Sequence, residues 1–331
     1  MMKLAICVIC FNRKFEFARL INCLLELKTS LTVDLIVSVD FSSEQQVINE
    51  VASSIDWPFG DCRIILHDSN LGLKKHVLSC GDLSSNYDGL ILLEDDLIVS
   101  PYVIDYVAAS LGKLGTDDSV AGISLYSYMK KESNKMPFIP FIDSYDSYFV
   151  QFPSSWGFVV TAGQWSEFKD WLTQWDCTFF EDDLIPDYIC KWGEQSWKKH
   201  LVRYLVHRNK YFAFPRFSLS TNPGANGTHH NGINSLYSVP ICLGPRCWHI
   251  SSFENSSVVY DVDFLPVEKM CKSFPQSFND GHISLGTRID SNKADHVFNN
   301  YFFTVREYVL FSFVFFSRNA KKLLVKLGFK K

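Results

Sequence analysis

The chain has 331 residues, 47% hydrophobic and 21% charged, a balance that excludes a disordered or multiply membrane-spanning protein and leaves room for one large α/β domain with an appendage. With 32 basic against 36 acidic side chains the formal net charge is −4, so no global positive field exists for nucleic acid, and neither DNA nor RNA is expected as a partner. Ten cysteines without CxxC or zinc-finger spacing, and no apolar leader before a strand-like run starting near Lys3, predict free thiols in a cytoplasmic setting.

In chain order, residues 4–10 form a short apolar run and 15–27 have helical spacing. Residues 34–39 are again apolar and 43–54 helix-compatible; 63–66, 72–80 and the strongly apolar 89–93 continue the rhythm. Strands alternating with helices predict βαβ units and a mainly parallel sheet. Ligands of such sheets bind beyond the carboxyl ends of the strands. The residues there are Phe11-Asn12-Arg13, Asp40, His67-Asp68 and Glu94-Asp95-Asp96. No glycine-rich GxGxxG or Walker loop follows any of these runs, which argues against dinucleotide oxidoreductases and P-loop enzymes. A bound diphosphate would then rely on a metal and basic side chains.

Residues 128–140 turn polar and lysine-bearing and read as a mobile surface loop. Residues 154–161 read as a turn into a buried strand, and 165–175 as an amphipathic helix. From about Asn231 the rhythm gives way to loops before a final apolar and basic helix.

Three adjacent carboxylates at the end of a buried strand repel one another unless a cation joins them. A hard divalent ion, Mn²⁺ or Mg²⁺, suits them because it takes oxygen ligands and keeps positions open for substrate phosphates. As a Lewis acid it would neutralise a departing nucleoside diphosphate. An isolated acidic triplet is otherwise a solvated turn, and the strand before it together with the other strand ends favours the metal.

The stretch Leu92-Leu93-Glu94-Asp95-Asp96-Leu97-Ile98-Val99-Ser100-Pro101 resembles the DXD-type metal motif, with its downstream proline, of GT-A glycosyltransferases. The likeness is to the N-acetylglucosaminyltransferase I type and related bacterial sugar transferases. Cys10-Phe11-Asn12-Arg13 resembles the first donor loop of that family, Leu35 to Asp40 the strand whose aspartate reads uracil, and Trp156-Gly157-Phe158 the segment near the acceptor. Phe214 to Ser220, followed by Gly227-Thr228-His229-His230, resembles the closing block. The likeness covers roughly residues 3 to 232. It implies a Rossmann-like GT-A domain over 1–232 and a helical or irregular extension over 233–331.

The resemblance makes Asp96 the direct metal ligand, with Glu94 and Asp95 contacting the nucleotide or metal-bound water, Arg13 a phosphate and Asp40 the uracil N3. The donor implied is a UDP-sugar. For the general base the matching stretch is Trp192-Gly193-Glu194-Gln195-Ser196-Trp197, where Gln195 and Ser196 stand in place of the usual aspartate. Glu194 is therefore the candidate, with Asp182 and Asp183 as rivals. His229, rather than its neighbour His230, could reach the diphosphate or the metal, and Trp156 could stack on a sugar face.

The expected activity is inverting hexosyl or N-acetylhexosaminyl transfer from the nucleotide-sugar to a glycan or lipid-linked acceptor in bacterial surface polysaccharide synthesis. A nucleotidyltransferase, or a non-catalytic sugar or nucleotide-sugar binder of the same fold, is the alternative. No apolar stretch reaches the ~20 residues needed to span a bilayer. The aromatic and then basic order of 301–331 suits peripheral contact with the inner face of the plasma membrane.

Overall fold

The computed structural model describes residues 2–175, 184–224 and 237–273. The chain divides into two units, Met1–Val267 and Glu268–Lys331. In the second, the described part is the short helix α8 (Glu268–Ser273). The tail at 301–331 lies outside the described residues. No described helix is long and apolar enough to cross a membrane.

The first unit starts with β1 (Leu4–Cys10), α1 (Lys14–Leu25), β2 (Val33–Val39), α2 (Gln45–Ser53), β3 (Cys62–Leu66), α3 (Gly72–Asp82) and β4 (Gly89–Glu94). All seven residues of β1 are buried, as expected of a parallel strand covered on both faces, whose sequence is then a continuous apolar run. Helix α1 buries Phe17, Leu20, Ile21 and Leu24, the i, i+3, i+4, i+7 stripe that its sequence spacing predicts. Each such side chain contributes about 2 kcal/mol over exposure. Strands β3, β2, β1 and β4 lie side by side, all parallel.

Beyond β4 come β5 (Ile98–Val99), α4 (Val103–Leu114), β6 (Val120–Ser124), β7 (Ser147–Val150), β8 (Phe158–Val160) and α5 (Ala162–Gln174). They are followed by α6 (Asp187–Cys190), α7 (Trp197–His207), β9 (Tyr211–Pro215), β10 (Ser220–Thr221) and β11 (Val259–Tyr260). The sheet continues from β4 through β8, β6, β9, β7 and β11. Here it is mixed, because β8 runs antiparallel to both β4 and β6. Those two strands are therefore parallel to one another, and β9 is parallel to β6. One edge of the sheet thus collects the carboxyl ends of β4, β6 and β9 and the amino end of β8.

Short backbone links tie this edge together. β5 pairs with β10, Ser100 N–H donates to Leu219 O at 2.7 Å, and Leu219 N–H donates to Leu125 O at 2.7 Å. Val239 N–H donates to Thr221 Oγ1 at 2.8 Å and Ser100 Oγ to Cys242 O at 2.5 Å, so the chain after 237 returns to the same edge.

The loop at 128–140 is not the wholly solvent-facing segment its composition suggests. Lys130 bridges to Pro137, and Tyr128 and Phe138 at its ends are buried.

Helices α3 and α5 meet at Gly81, where a Cβ would stand 2.0 Å from the Trp165 ring. Trp165 is itself fixed by its Nε1 hydrogen bond to Asp82 at 2.8 Å. Gly81→Ala is expected to cost about 1–3 kcal/mol of stability. Denaturant unfolding would show this, and an unchanged midpoint would mean that the indole moves freely.

Candidate functional site

Pairing of β1 with β4 sets Ile9 opposite Glu94, so the loop after β1 and the acidic triplet after β4 leave the sheet side by side. Asp95 is fully buried. Its Oδ2 accepts the Phe11 N–H at 3.3 Å, and Arg13 Nη2 lies 2.5 Å from its Oδ1, off the line of a hydrogen bond. Arg13 Nη1 donates to Asp96 Oδ2 at 2.6 Å, and Arg19 Nη2 donates to the Asp96 carbonyl at 2.7 Å. One guanidinium thus bridges two adjacent carboxylates.

The balance of charge remains negative. Burial, with the Asp96 charge adding to it and Arg13 opposing, pushes Glu94 up to about 8. Burial raises Asp95 to about 6 against the pull of Arg13. Arg13 loses solvation too, yet Asp95, Asp96 and Glu94 more than offset that loss and hold it charged more firmly than usual. Asp96 Oδ1 is buried without a hydrogen-bond partner, an arrangement that costs free energy unless something occupies it.

These oxygens fit a hard dication. Among the described residues no group of three or more His, Cys, Asp or Glu could hold an ion alone. A Mg²⁺-type site, in which one or two carboxylates act with substrate phosphates, needs no third protein ligand. Asp96 and Asp95 are the side chains that would hold it. His229, the other expected ligand, lies outside the described residues, as does Asp183 with its neighbour Asp182.

Asp40 ends β2 with 3% exposure. Its Oδ1 accepts the N–H groups of Phe41 at 2.9 Å and Leu71 at 2.8 Å, and its Oδ2 accepts that of Gly72 at 3.1 Å. The carboxylate anchors the start of α3, where Gly72 turns at φ +73. Trp156, at the amino end of β8, is buried with its ring 4.6 Å from that of Tyr126 and 4.5 Å from that of Tyr237. The adjacent Gly157 has φ +89, a conformation only glycine adopts without strain, which accounts for the Trp-Gly pair. Glu194 is exposed in the turn before α7, a helix capped by Ser196 Oγ accepting the Lys199 N–H. The neighbouring Gln195 reaches the start of α3 at Gly72. Glu94 faces Ser155 and Trp197 across a gap too tight for water.

Sequence reasoning missed Lys198. Its ammonium is buried, donates to Tyr128 Oη at 3.2 Å and stands 3.9 Å from Glu132. Rings of Phe152 at 4.7 Å, Trp156 at 5.3 Å and Trp192 at 5.5 Å surround it. Burial lowers its pKa, Glu132 opposing. A signal was present, since Lys198 occupies the buried stripe of α7 with Leu201, Val202 and Leu205.

On the same helix, burial and then the nearby charges of Lys74, Lys199 and Arg203 lower His200 to about 4. The unfolded chain protonates this histidine first, near pH 6.5. His200 therefore takes stability away as pH drops from about 6.5 to about 4, against the stability that Glu94 and Asp95, held above their usual range by the fold, add over the same span. Unfolding midpoints of wild type and His200→Gln across that range would test this, with the variant expected to gain on the wild type as pH falls.

Residues 5–164 match the family model described as glycosyl transferase family 2. Among solved structures the chain is similar to S. aureus TarS 1-349 in complex with UDP, at 13% identity and a TM-score of 0.38, with 64% of this chain and 60% of that one covered. It is also similar to TarS 1-349 in complex with UDP-GlcNAc, at 14% identity, a TM-score of 0.39 and coverage of 64% and 58%. Mouse xyloside xylosyltransferase 1 in its apo form gives 9% identity, a TM-score of 0.40 and coverage of 63% and 84%. The match spans 35% of the longer TarS chain. No curated protein matches the chain. Residues 5–164 thus resemble a glycosyltransferase family 2 domain, and the mainly parallel strands with carboxylates at the end of β4 form an α/β fold of GT-A type.

Proposed function

We propose that the protein is a Mn²⁺- or Mg²⁺-dependent glycosyltransferase. It moves a hexosyl or N-acetylhexosaminyl unit from a UDP-sugar to a glycan or lipid-linked acceptor, with inversion, in bacterial surface polysaccharide assembly at the inner face of the plasma membrane. The observation that carries the reading is the unpartnered, buried Asp96 Oδ1 beside Asp95 and Arg13 at the end of β4. Asp96 and Asp95 would hold the ion, whose charge would neutralise the departing diphosphate. Arg13, a quarter exposed, keeps a fixed positive charge where the phosphates would lie. Asp40 holds the loop at Leu71 and Gly72 that would border the base, and the uracil preference rests on the resemblance of its strand.

In the transfer, the acceptor oxygen attacks the anomeric carbon as its proton passes to a carboxylate and the bond to the diphosphate oxygen breaks. Glu194, exposed ahead of α7, is the proton acceptor we favour, with Asp183 the rival. Trp156 and its tyrosine neighbours border the sugar side of the edge.

A panel of nucleotide-sugars with acceptor glycans, with and without Mn²⁺, tests the proposal through released nucleoside diphosphate. One donor should respond to the metal. Glu194→Gln should then lower kcat by about 10²–10⁴-fold, the usual worth of a general base, with little change in donor KM. Loss in Asp183→Asn instead would transfer the role to Asp183. Donor binding without release under any condition would make the protein a nucleotide-sugar binder of the same fold.

A further inference from the structure

Along the edge that carries the triplet, the end of β6 lies two strands from the end of β4, roughly 10 Å at ordinary strand spacing. There the chain walls a cavity of about 290 Å³. It is lined by Met129, Phe138 and Ile139 from the loop after β6, Phe217 from the segment after β9, and Val239 and Ile241 from the returning chain. Three of these large apolar side chains stand open to solvent, Met129 at 52%, Ile139 at 62% and Phe217 at 46%. Exposed Ile142 and Leu243 follow close in sequence. A gathering of this kind marks a binding surface more often than an idle one.

The polar groups of the wall are engaged within the protein. Ser218 Oγ accepts the Ser127 N–H and donates to Ser220 O, at 2.9 and 2.7 Å. Tyr128 Oη donates to Pro153 O and accepts from Lys198. Arg216 donates to Tyr145 O and to Asp143. A ligand entering here meets hydrocarbon. Against one lining residue, the Arg246 guanidinium lies 4.1 Å from the centre of the Phe217 ring, its side chain 37% exposed and paired with Asp146. An apolar slot with a cation stacked on one of its wall residues suits a hydrocarbon chain that begins at a phosphoryl group.

We infer that this cavity takes the first carbons of the hydrocarbon of a lipid-linked acceptor, with the phosphoryl link at Arg246 and the glycan running along the edge toward Trp156 and the triplet. The inference rests on the transferase reading for its acceptor, but the cavity can be tested without turnover. Dodecyl phosphate, kept below its micelle concentration, is the probe, with inorganic phosphate and phosphatidylcholine vesicles as separate arms.

The full chain should bind dodecyl phosphate, and inorganic phosphate should neither bind comparably nor compete. Ile139→Gln, at an exposed rim position that does not threaten folding, and Ile241→Trp, which fills the slot, should each weaken binding by about tenfold or more, the scale set by a few lost methylene contacts. Undiminished binding in both variants would overturn the inference. So would inorganic phosphate binding as tightly as the alkyl ester, or vesicles retaining the protein while the monomeric ester does not bind. Nucleoside diphosphate release by the wild type from the nucleotide-sugar panel with acceptor glycans, measured alongside, separates the two readings: its absence under every condition sinks the transferase proposal and leaves the titration to judge the cavity.

Discussion

Asp96→Asn is expected to lower metal-stimulated release of nucleoside diphosphate by roughly 10²–10³-fold, the loss that follows when several kcal/mol of charge stabilisation leave the transition state. The substitution keeps the shape of the side chain, and its oxygen can still accept from Arg13. It removes the negative charge that makes the unpartnered Oδ1 a ligand for a dication. Titration of Mn²⁺ in the same assay should show a higher metal requirement in the variant. The exposed Asp118→Asn, changed as a control, should alter neither quantity. Activity at the wild-type level in Asp96→Asn would remove the metal from the mechanism.

The second large effect concerns folding. Arg13→Met takes the guanidinium from Asp95 and Asp96 and leaves buried carboxylates facing one another. Breaking a buried pair from one side costs about 3–5 kcal/mol, and because Arg13 is a quarter exposed the lower figure is expected here. For a unit of this size about 3 kcal/mol corresponds to a Tm lower by roughly 6–12 °C. Millimolar Mn²⁺ should recover part of that loss in Arg13→Met and less of it in the double variant with Asp96→Asn. Equal melting of wild type and Arg13→Met would show that the carboxylates find another partner.

The two predictions draw on the part of the molecule most legible in the sequence. Strands β1 and β4 are covered on both faces and read as almost unbroken apolar runs, and β2 departs from one only at Asp34 and Ser38. Even β3, at the sheet edge and half exposed, keeps the βαβ rhythm. The triplet was visible for the same reason, since a buried strand had to deliver it somewhere. The direction of β8 was not, because a three-residue strand carries no sign of whether its neighbours run with it or against it.

Asp40 shows a second limit. Its place at a strand end is plain from sequence, while the three backbone N–H groups that it satisfies come from its own turn and from the start of α3. The pairing of Lys198 with Glu132 joins a helix to a loop far away in the chain, and no local pattern links the two. What periodicity could have said is that a lysine in an apolar stripe needs a carboxylate from somewhere.

The reversed strand has a mechanical side as well. β1 and β2 are laddered along the whole of Leu4–Cys10, whereas β8 holds β4 only from Leu90 to Leu92 and β6 only at Ile123 and Ser124. A laminate bends at its thinnest glue line. Strain from a bulky cargo at the β6 and β9 side would be taken up along β8 before it reached the stiff four-strand plate that carries the triplet.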